Sequence, residues 1–361
     1  MKSIPIAILM STLILLLACP VLPAQTSGEP PVSNARFETL SPAAGLEAAL
    51  KQARSRDGEP FWVGYSVPMV AGQGRNCCFT WKKGSDPRPS VCLLEGKNNG
   101  WGSTSRDEPR PDQRLHVLLR FAGGKVGEIR GFSEDCAVDA GGRRFVWLGA
   151  VKPEESVSYL ADLARTGQGG NGDPGEEAMV ALAMHRNANA DTALEELASP
   201  PSSRKTREHA LFWLGQTRGE RGARFLANVL RDDRDEDIRE KAVFSLSQSR
   251  VPWAAETIAR TGREDRSPGI RGEALFWLAQ MDAPEAPETL FQAIEKDPEM
   301  EVRKKAVFAL SQLKGGKSVS YLVRVGKETR QPEIRKEAFF WLAQSNDPEA
   351  LKYLDKVLND D

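Results

Sequence analysis

The chain has 361 residues, of which 40% are hydrophobic and 27% charged, with a formal net charge of −1. That is the composition of a globular protein long enough for two domains. Residues 1–150 are slightly basic and 151–361 slightly acidic, so neither part has the basic excess of a nucleic-acid binder.

Lys2 precedes an apolar run from Ile4 to Leu17, and Leu22-Pro23-Ala24 provides a small-residue exit before Gln25. A charged start, a short apolar stretch and a small exit residue read as a secretory signal peptide over residues 1–24, too short for a comfortable membrane span. Leu16-Leu17-Ala18-Cys19 offers a competing reading, a bacterial lipobox that would leave a lipid anchor on Cys19. Either way the mature protein is expected outside the cytoplasm, periplasmic or secreted. Residues 25–34 are polar and proline-containing, and are expected to form a flexible tether.

Residues 35–150 are expected to form a small α+β domain with an antiparallel sheet. Ser41-Pro42 opens a helix through Arg54, with serine as N-cap and proline in the first turn. Strand signals follow at Phe61–Val70, Cys77–Trp81, Val91–Leu94, Leu115–Phe121 and Val126–Phe132, and a last hairpin joins Cys136–Val138 to Phe145–Val151. Residues 96–112 are polar and read as a loop. His116 is out of phase with the apolar alternation of Leu115, Val117 and Leu119, which points it to solvent.

Cys77, Cys78, Cys92 and Cys136 all lie in this domain. An even cysteine count in an exported chain indicates disulfides. Adjacent cysteines bond to each other only with strain. Cys77 and Cys78 can each therefore pair with Cys92 or Cys136, and a hairpin centred near Ser85, which sets Cys78 opposite Cys92, favours Cys78–Cys92 with Cys77–Cys136. The domain shows no Ser/His/Asp or Cys/His signature, no phosphate-binding glycine motif and no zinc spacing, and no cofactor or metal is expected.

From residue 151 the chain repeats. Ala210, Ala242, Ala274, Ala306 and Ala338 recur every 32 residues, with a weaker copy at Ala178. Their frames run Ala210-Leu-Phe-Trp-Leu-Gly-Gln216, Ala242-Val-Phe-Ser-Leu-Ser-Gln248, Ala274-Leu-Phe-Trp-Leu-Ala-Gln280, Ala306-Val-Phe-Ala-Leu-Ser-Gln312 and Ala338-Phe-Phe-Trp-Leu-Ala-Gln344. A fixed period of this size marks a stacked array of supersecondary units. Each unit reads as two helices, giving about six units over 151–361. A final helix, Pro348–Leu358, precedes the polar residues Asn-Asp-Asp.

The second helix of each unit carries Ile238-Arg239-x-x-Ala242, Ile270-Arg271-x-x-Ala274, Val302-Arg303-x-x-Ala306 or Ile334-Arg335-x-x-Ala338. This resembles the HEAT-repeat family, in particular the bacterial HEAT-like units also found in phycobilisome lyases. The resemblance covers about 200 residues. It implies a mainly α fold: a right-handed α-α superhelix of helical hairpins with one concave face. The first unit departs from the motif, with Gly175 in place of the arginine and Met184 in place of the glutamine, and reads as a degenerate end repeat.

Helical geometry sorts the positions by face. With the repeat alanine at 0° and ~100° per residue, the Ile/Val and the following leucine fall on one core face. The position three after the alanine alternates Trp213, Ser245, Trp277, Ala309 and Trp341, as if each tryptophan filled space left by a small neighbour. The arginine at about +60° is expected to bond a neighbouring loop or carboxylate. Phe212, Phe244, Phe276, Phe308 and Phe340 fall near ~200°, opposite the core. Gln216, Gln248, Gln280, Gln312 and Gln344 lie beside them, facing a ligand or forming an amide ladder between units. The alternative for the rings is burial between adjacent helices.

Function follows from this surface. The expected activity is that of an exported scaffold, not an enzyme, holding an unidentified protein or peptide of the cell envelope on the concave face through the phenylalanines and glutamines. The alternative is an enzyme of HEAT type, a lyase or a metal-dependent hydroxylase. It is disfavoured by export and by the histidines: His116, His185 and His209 are the only three, and none precedes a glutamate.

Overall fold

The structure is a computed structural model that describes residues 28–55, 59–72, 74–80, 88–96, 101–104, 112–167, 173–314 and 316–359. The signal peptide, the lipobox cysteine and the start of the tether lie outside the described residues.

The N-terminal part comprises β1 (Val32–Ser33), β2 (Arg36–Thr39), α1 (Leu46–Arg54), β3 (Phe61–Pro68), β4 (Arg75–Thr80), β5 (Arg88–Pro89), β6 (Cys92–Leu93), β7 (Trp101–Thr104), β8 (Arg114–Ala122), β9 (Lys125–Ser133), β10 (Val138–Asp139) and β11 (Arg144–Ala150). The main sheet has the order β2-β11-β3-β8-β9. It is mixed. β3, β8 and β9 pair antiparallel as expected, while β11 inserts between β2 and β3, parallel to both. The hairpin expected between Cys136–Val138 and Phe145–Val151 therefore does not form. β10 instead joins a second layer, parallel to β1 and β6. Part of the segment expected as a tether is stitched down by this pairing, with the Val138 amide bonding the Pro31 carbonyl.

Both faces of the main sheet are covered, because its strands carry apolar residues on both sides. One face sets Phe61, Val63, Tyr65, Val67, Leu115, Val117, Leu119 and Phe121 against the helices. The other sets Trp62, Leu118, Phe145 and Trp147 against the cysteines. Gly64 makes room there: a Cβ at this position would lie 2.8 Å from Leu118 and 3.0 Å from the rings of Phe145 and Trp147. The disulfides are Cys77–Cys136 and Cys78–Cys92. The hairpin that carries them pairs Phe79 with Pro89 and Thr80 with Arg88, one residue off the register expected around Ser85. Cys92 still reaches Cys78, since its sulfur accepts the Cys78 amide at 3.1 Å.

Two local expectations fail for tertiary reasons. The first helix starts at Leu46 rather than Pro42, because the Glu155 carboxylate caps the Leu46 amide at 2.7 Å from outside the segment. The polar stretch 96–112 contains β7, which pairs with β4 across Cys77 and Cys78.

The remainder is helical: α2 (Pro153–Thr166), α3 (Pro174–Ala183), α4 (Ala188–Leu197), α5 (Arg204–Thr217), α6 (Gly219–Asp232), α7 (Glu236–Ser247), α8 (Ala254–Glu264), α9 (Pro268–Gln280), α10 (Ala286–Lys296), α11 (Met300–Ser311), α12 (Lys317–Glu328), α13 (Pro332–Gln344) and α14 (Pro348–Asn359). These form six helical hairpins and a last helix. The repeat alanines and the Ile/Val and leucine positions of α5, α7, α9, α11 and α13 are buried, as their spacing requires. Units approach closely at Gly215, where an added Cβ would lie 2.4 Å from the Ser245 carbonyl oxygen of the next unit. Gly215→Ala is expected to force α5 and α7 apart and cost about 1–3 kcal/mol, read as a lower urea midpoint with an unchanged far-UV spectrum.

The degenerate first unit has a physical reason. α3 packs on β9 instead of on a preceding unit, and its Glu177 accepts from the Ile129 amide and pairs with Arg130 at 3.0 Å. One continuous hydrophobic core runs from the sheet through α1–α3 into the array. At the other end α14 exposes Leu351 and Leu358. Among the described residues no helix is long and apolar enough to cross a membrane.

Candidate functional site

The phenylalanines expected opposite the core line one side of α5, α7, α9, α11 and α13. Phe212, Phe244, Phe276 and Phe308 are half-buried, and Phe340 is 51% exposed. The rings touch one another. Phe212 stacks on Phe244 at 6.2 Å between centroids, and Phe276 on Phe308 at 5.9 Å. Between these pairs Phe244 meets Trp277 at 4.9 Å, and Phe308 meets Trp341 at 5.1 Å. Trp213, Trp277 and Trp341 stand edge-on to Phe212, Phe276 and Phe340 of their own helices. Eight rings thus form one unbroken chain along five successive units.

The tryptophans were expected on the core face, and this is corrected: they are half-buried and belong to the ladder. The reason is their polar edge. The Trp277 indole N–H donates to Glu273 at 2.6 Å and that of Trp341 to Glu337 at 2.9 Å. Those carboxylates sit one turn earlier on the solvent side, and a buried indole N–H needs such a partner. Where the tryptophan is absent, Ser245 and Ala309 are buried and the helices close in. In one such unit Lys241 lies over the rings of both Phe212 and Phe244, at 5.6 Å and 5.0 Å.

The glutamines flank the rings. Gln248 and Gln312 donate to Ser247 and Ser311 of their own helices, at 3.1 Å and 2.9 Å. Both are exposed, as is Gln344. Glu240, near the ladder, has its carboxyl raised by burial and by the charges of Glu273 and Asp237.

On the side away from the rings, the arginines build a second ladder. Arg207 pairs with Asp233, Arg239 with Asp265 at 3.1 Å and Arg271 with Asp297 at 2.8 Å, each aspartate standing 26 residues on. Arg239 and Arg271 also donate to the carbonyls of Asp233 and Asp265, the preceding rungs. Each aspartate turns its other bonds to the amide two residues on, capping the next helix. The hydrogen bonds that Arg271 donates to Asp297 raise the pKa of its guanidinium; burial pushes the Asp297 carboxyl up, but Arg271 and the Glu299 amide hold it below its usual range.

Sequence reasoning missed two histidine environments. His116, expected at the surface, is buried under the second layer, edge-on to Trp147 at 4.9 Å. Burial, with the charge of Arg114, lowers its pKa to about 4. His185 lies just past α3, bonded to Ser156 of α2 at 2.8 Å and to the Ala181 carbonyl at 2.7 Å. Ser156 in turn bonds Tyr65 of β3 at 2.9 Å. This hydroxyl–imidazole pair has the contacts of a nucleophile and base, but it is fully buried, and burial lowers the His185 pKa to about 4. It fastens the sheet to the helical array. Period and spacing carry no signal for it, because its members come from three elements. Cys77, Asp135 and Cys136 cluster closely enough to suggest a metal, but the two sulfurs are bonded to each other.

No curated protein matches the chain. Among solved structures it is similar to human deoxyhypusine hydroxylase, at 17% identity and a TM-score of 0.31, over 57% of this chain and 79% of that one. It is also similar to the CpcE–CpcF complex of phycocyanin lyase from Nostoc sp. PCC7120, at 19% identity and a TM-score of 0.28, over 56% and 80%. Kap95p, in a structure with RanGDP, shows 11% identity and a TM-score of 0.35, over 57% and 33%. Residues 255–339 match the family model described as HEAT repeats. The Ile/Val-Arg-x-x-Ala motif recurs in register on both sides of that segment, so the matched residues are part of one continuous array of like units.

Proposed function

We propose that this protein is an exported scaffold that holds a protein or peptide against the ring-bearing side of its HEAT repeats. The observation that carries the reading is the unbroken run of eight half-exposed rings, from Trp213 to Phe340. A contiguous apolar strip of this length marks an interaction surface rather than scattered surface residues. Stacking of the phenylalanines on each other occupies their faces, so the strip offers ring edges to a partner. Flat stacking of bases or sugars is thereby disfavoured, and apolar side chains of a polypeptide fit best. From α5 to α13 the second helices of successive units pack against one another more extensively than the first helices α6 to α12 do, which supports placing the strip on the inner side of the curve. The exposed side-chain amides of Gln248 and Gln312 would bond the backbone of the partner.

The test is crosslinking of the mature protein in its own envelope fraction, comparing the wild type with Phe276→Ala/Phe308→Ala. Loss of paired anchors of this kind should weaken capture by at least about tenfold with the helical spectrum at 222 nm intact. Unfolding of the variant would return the rings to a purely structural role. The mass of the mature N-terminus tests export and separates cleavage before Gln25 from lipidation at Cys19.

A further inference from the structure

A second feature, remote from the ladder, lies where the main sheet meets the second layer. A cleft of about 800 Å³ opens between the end of β2 and the ends of β3, β8 and β11, with Thr39, Ser41, Ser66, Arg114, Glu134 and Trp147 in its wall. Arg114 and Glu134 are cross-strand neighbours, the Glu134 amide bonding the Arg114 carbonyl at 3.1 Å. Opposite charges so placed ordinarily pair. Here they do not. The Arg114 guanidinium turns to Ser66 instead, donating to its hydroxyl at 2.6 Å and its carbonyl at 3.1 Å. The Glu134 carboxylate has no partner among the described residues. One cleft therefore presents a fixed cation and two carboxylates, Glu134 and Glu29, beside an indole.

Beneath it lies the His116 imidazole, only 3% exposed, whose Nε2 meets no hydrogen-bond partner among the described residues. Ser66 is its cross-strand partner and Trp147 its ring contact, and both open onto the cleft. A buried polar atom without a partner is costly in a finished fold and calls for an explanation such as a bound molecule or water. We propose that this cleft binds a small zwitterion, an amino acid or short peptide, with its carboxylate on Arg114, its ammonium on Glu134 and its apolar part against Trp147. Neither charge alone accounts for the arrangement, since a purely anionic ligand would face Glu134 and a purely cationic one Arg114.

Calorimetric titration of the mature protein with phenylalanine, diphenylalanine, and their N-acetyl and C-terminal amide derivatives tests this. The free zwitterions should bind, and either derivative should bind at least tenfold more weakly. Glu134→Gln should weaken the free amino acid but leave the N-acetyl derivative unchanged, and Arg114→Gln should do the same for the amide. Ser41→Trp, an exposed substitution that fills the cleft, should abolish binding without lowering the melting temperature. The proposal is overturned if none of these compounds binds, if the derivatives bind as well as the parents, or if Ser41→Trp leaves the affinity unchanged.

Discussion

Asp265→Ala is expected to be among the most damaging single substitutions in the helical array, costing about 3–5 kcal/mol. The aspartate receives both arms of the Arg239 guanidinium at 3.1 Å and caps the following helix through the Ser267 amide at 2.8 Å. Arg239 is only 2% exposed. Removing the carboxylate leaves a buried cation held by backbone carbonyls alone, and that unpaired charge is the source of the penalty. Urea unfolding followed at 222 nm measures it. Arg239→Met/Asp265→Leu removes both charges together and should recover most of the loss. Arg335→Ala provides the contrast. Arg335 is exposed and donates to the Thr329 carbonyl, at a rung where threonine replaces the aspartate, so its loss should cost about 1 kcal/mol or less. Equal losses at Asp265 and Arg335 would show that the paired rungs do not hold the units together.

Acid should unfold the N-terminal part of the molecule well before its carboxylates titrate. His116 and His185 stay neutral in the fold down to about pH 4, whereas an exposed histidine takes its proton near 6.5. Between these values the unfolded chain binds more protons than the folded one, so folding stability rises with pH across that window. The contribution is complete above pH 6.5 and is lost as the pH falls toward 4. Fully developed, each histidine accounts for about 3 kcal/mol. Burial drives the direction in both: for His185 the bond to the Ala181 carbonyl partly opposes it and the charge of Arg218 adds to it, and for His116 the charge of Arg114 adds to it, partly offset by Asp135. The half-buried Glu95 carboxylate, held by Arg120, Arg143 and the Trp62 indole, acts elsewhere on the scale. Hydrogen bonds from Arg120, outweighing burial, hold the Glu95 pKa at about 2, so its contribution persists down to that range. Urea midpoints at pH 7.5, 6.0 and 4.5 should therefore fall steeply in the wild type and far less in His116→Gln/His185→Gln. A flat wild-type profile over this range would mean that both imidazoles can be protonated in the folded state.

The helical array was legible because one rule acts five times over. A 32-residue period with alanine, Ile/Val and leucine on one helical face leaves a single way to bury them, by stacking each hairpin on the next. The arginine ladder was legible in kind but not in partner, since its aspartates sit 26 residues away in turns that period alone does not align. The phenylalanines were placed opposite the core by arithmetic on the helix. Whether neighbouring units would cover them depended on how closely the second helices approach, which Gly215 and Ser245 set through contacts between units. The tryptophans shared the angle of core residues, and only the position of Glu273 and Glu337 showed that their indoles turn outward.

By itself the amino-acid order determined that residues 151–361 stack as helical hairpins and that the phenylalanines lie opposite the core, both consequences of the helical period. The tertiary structure alone decided the parallel insertion of β11, the burial of His116 and His185, and the cleft that keeps Arg114 from Glu134. Each of these depends on which distant surface covers a strand or a side chain. Spacing along the chain says which face a residue occupies, but not whether anything arrives to cover it.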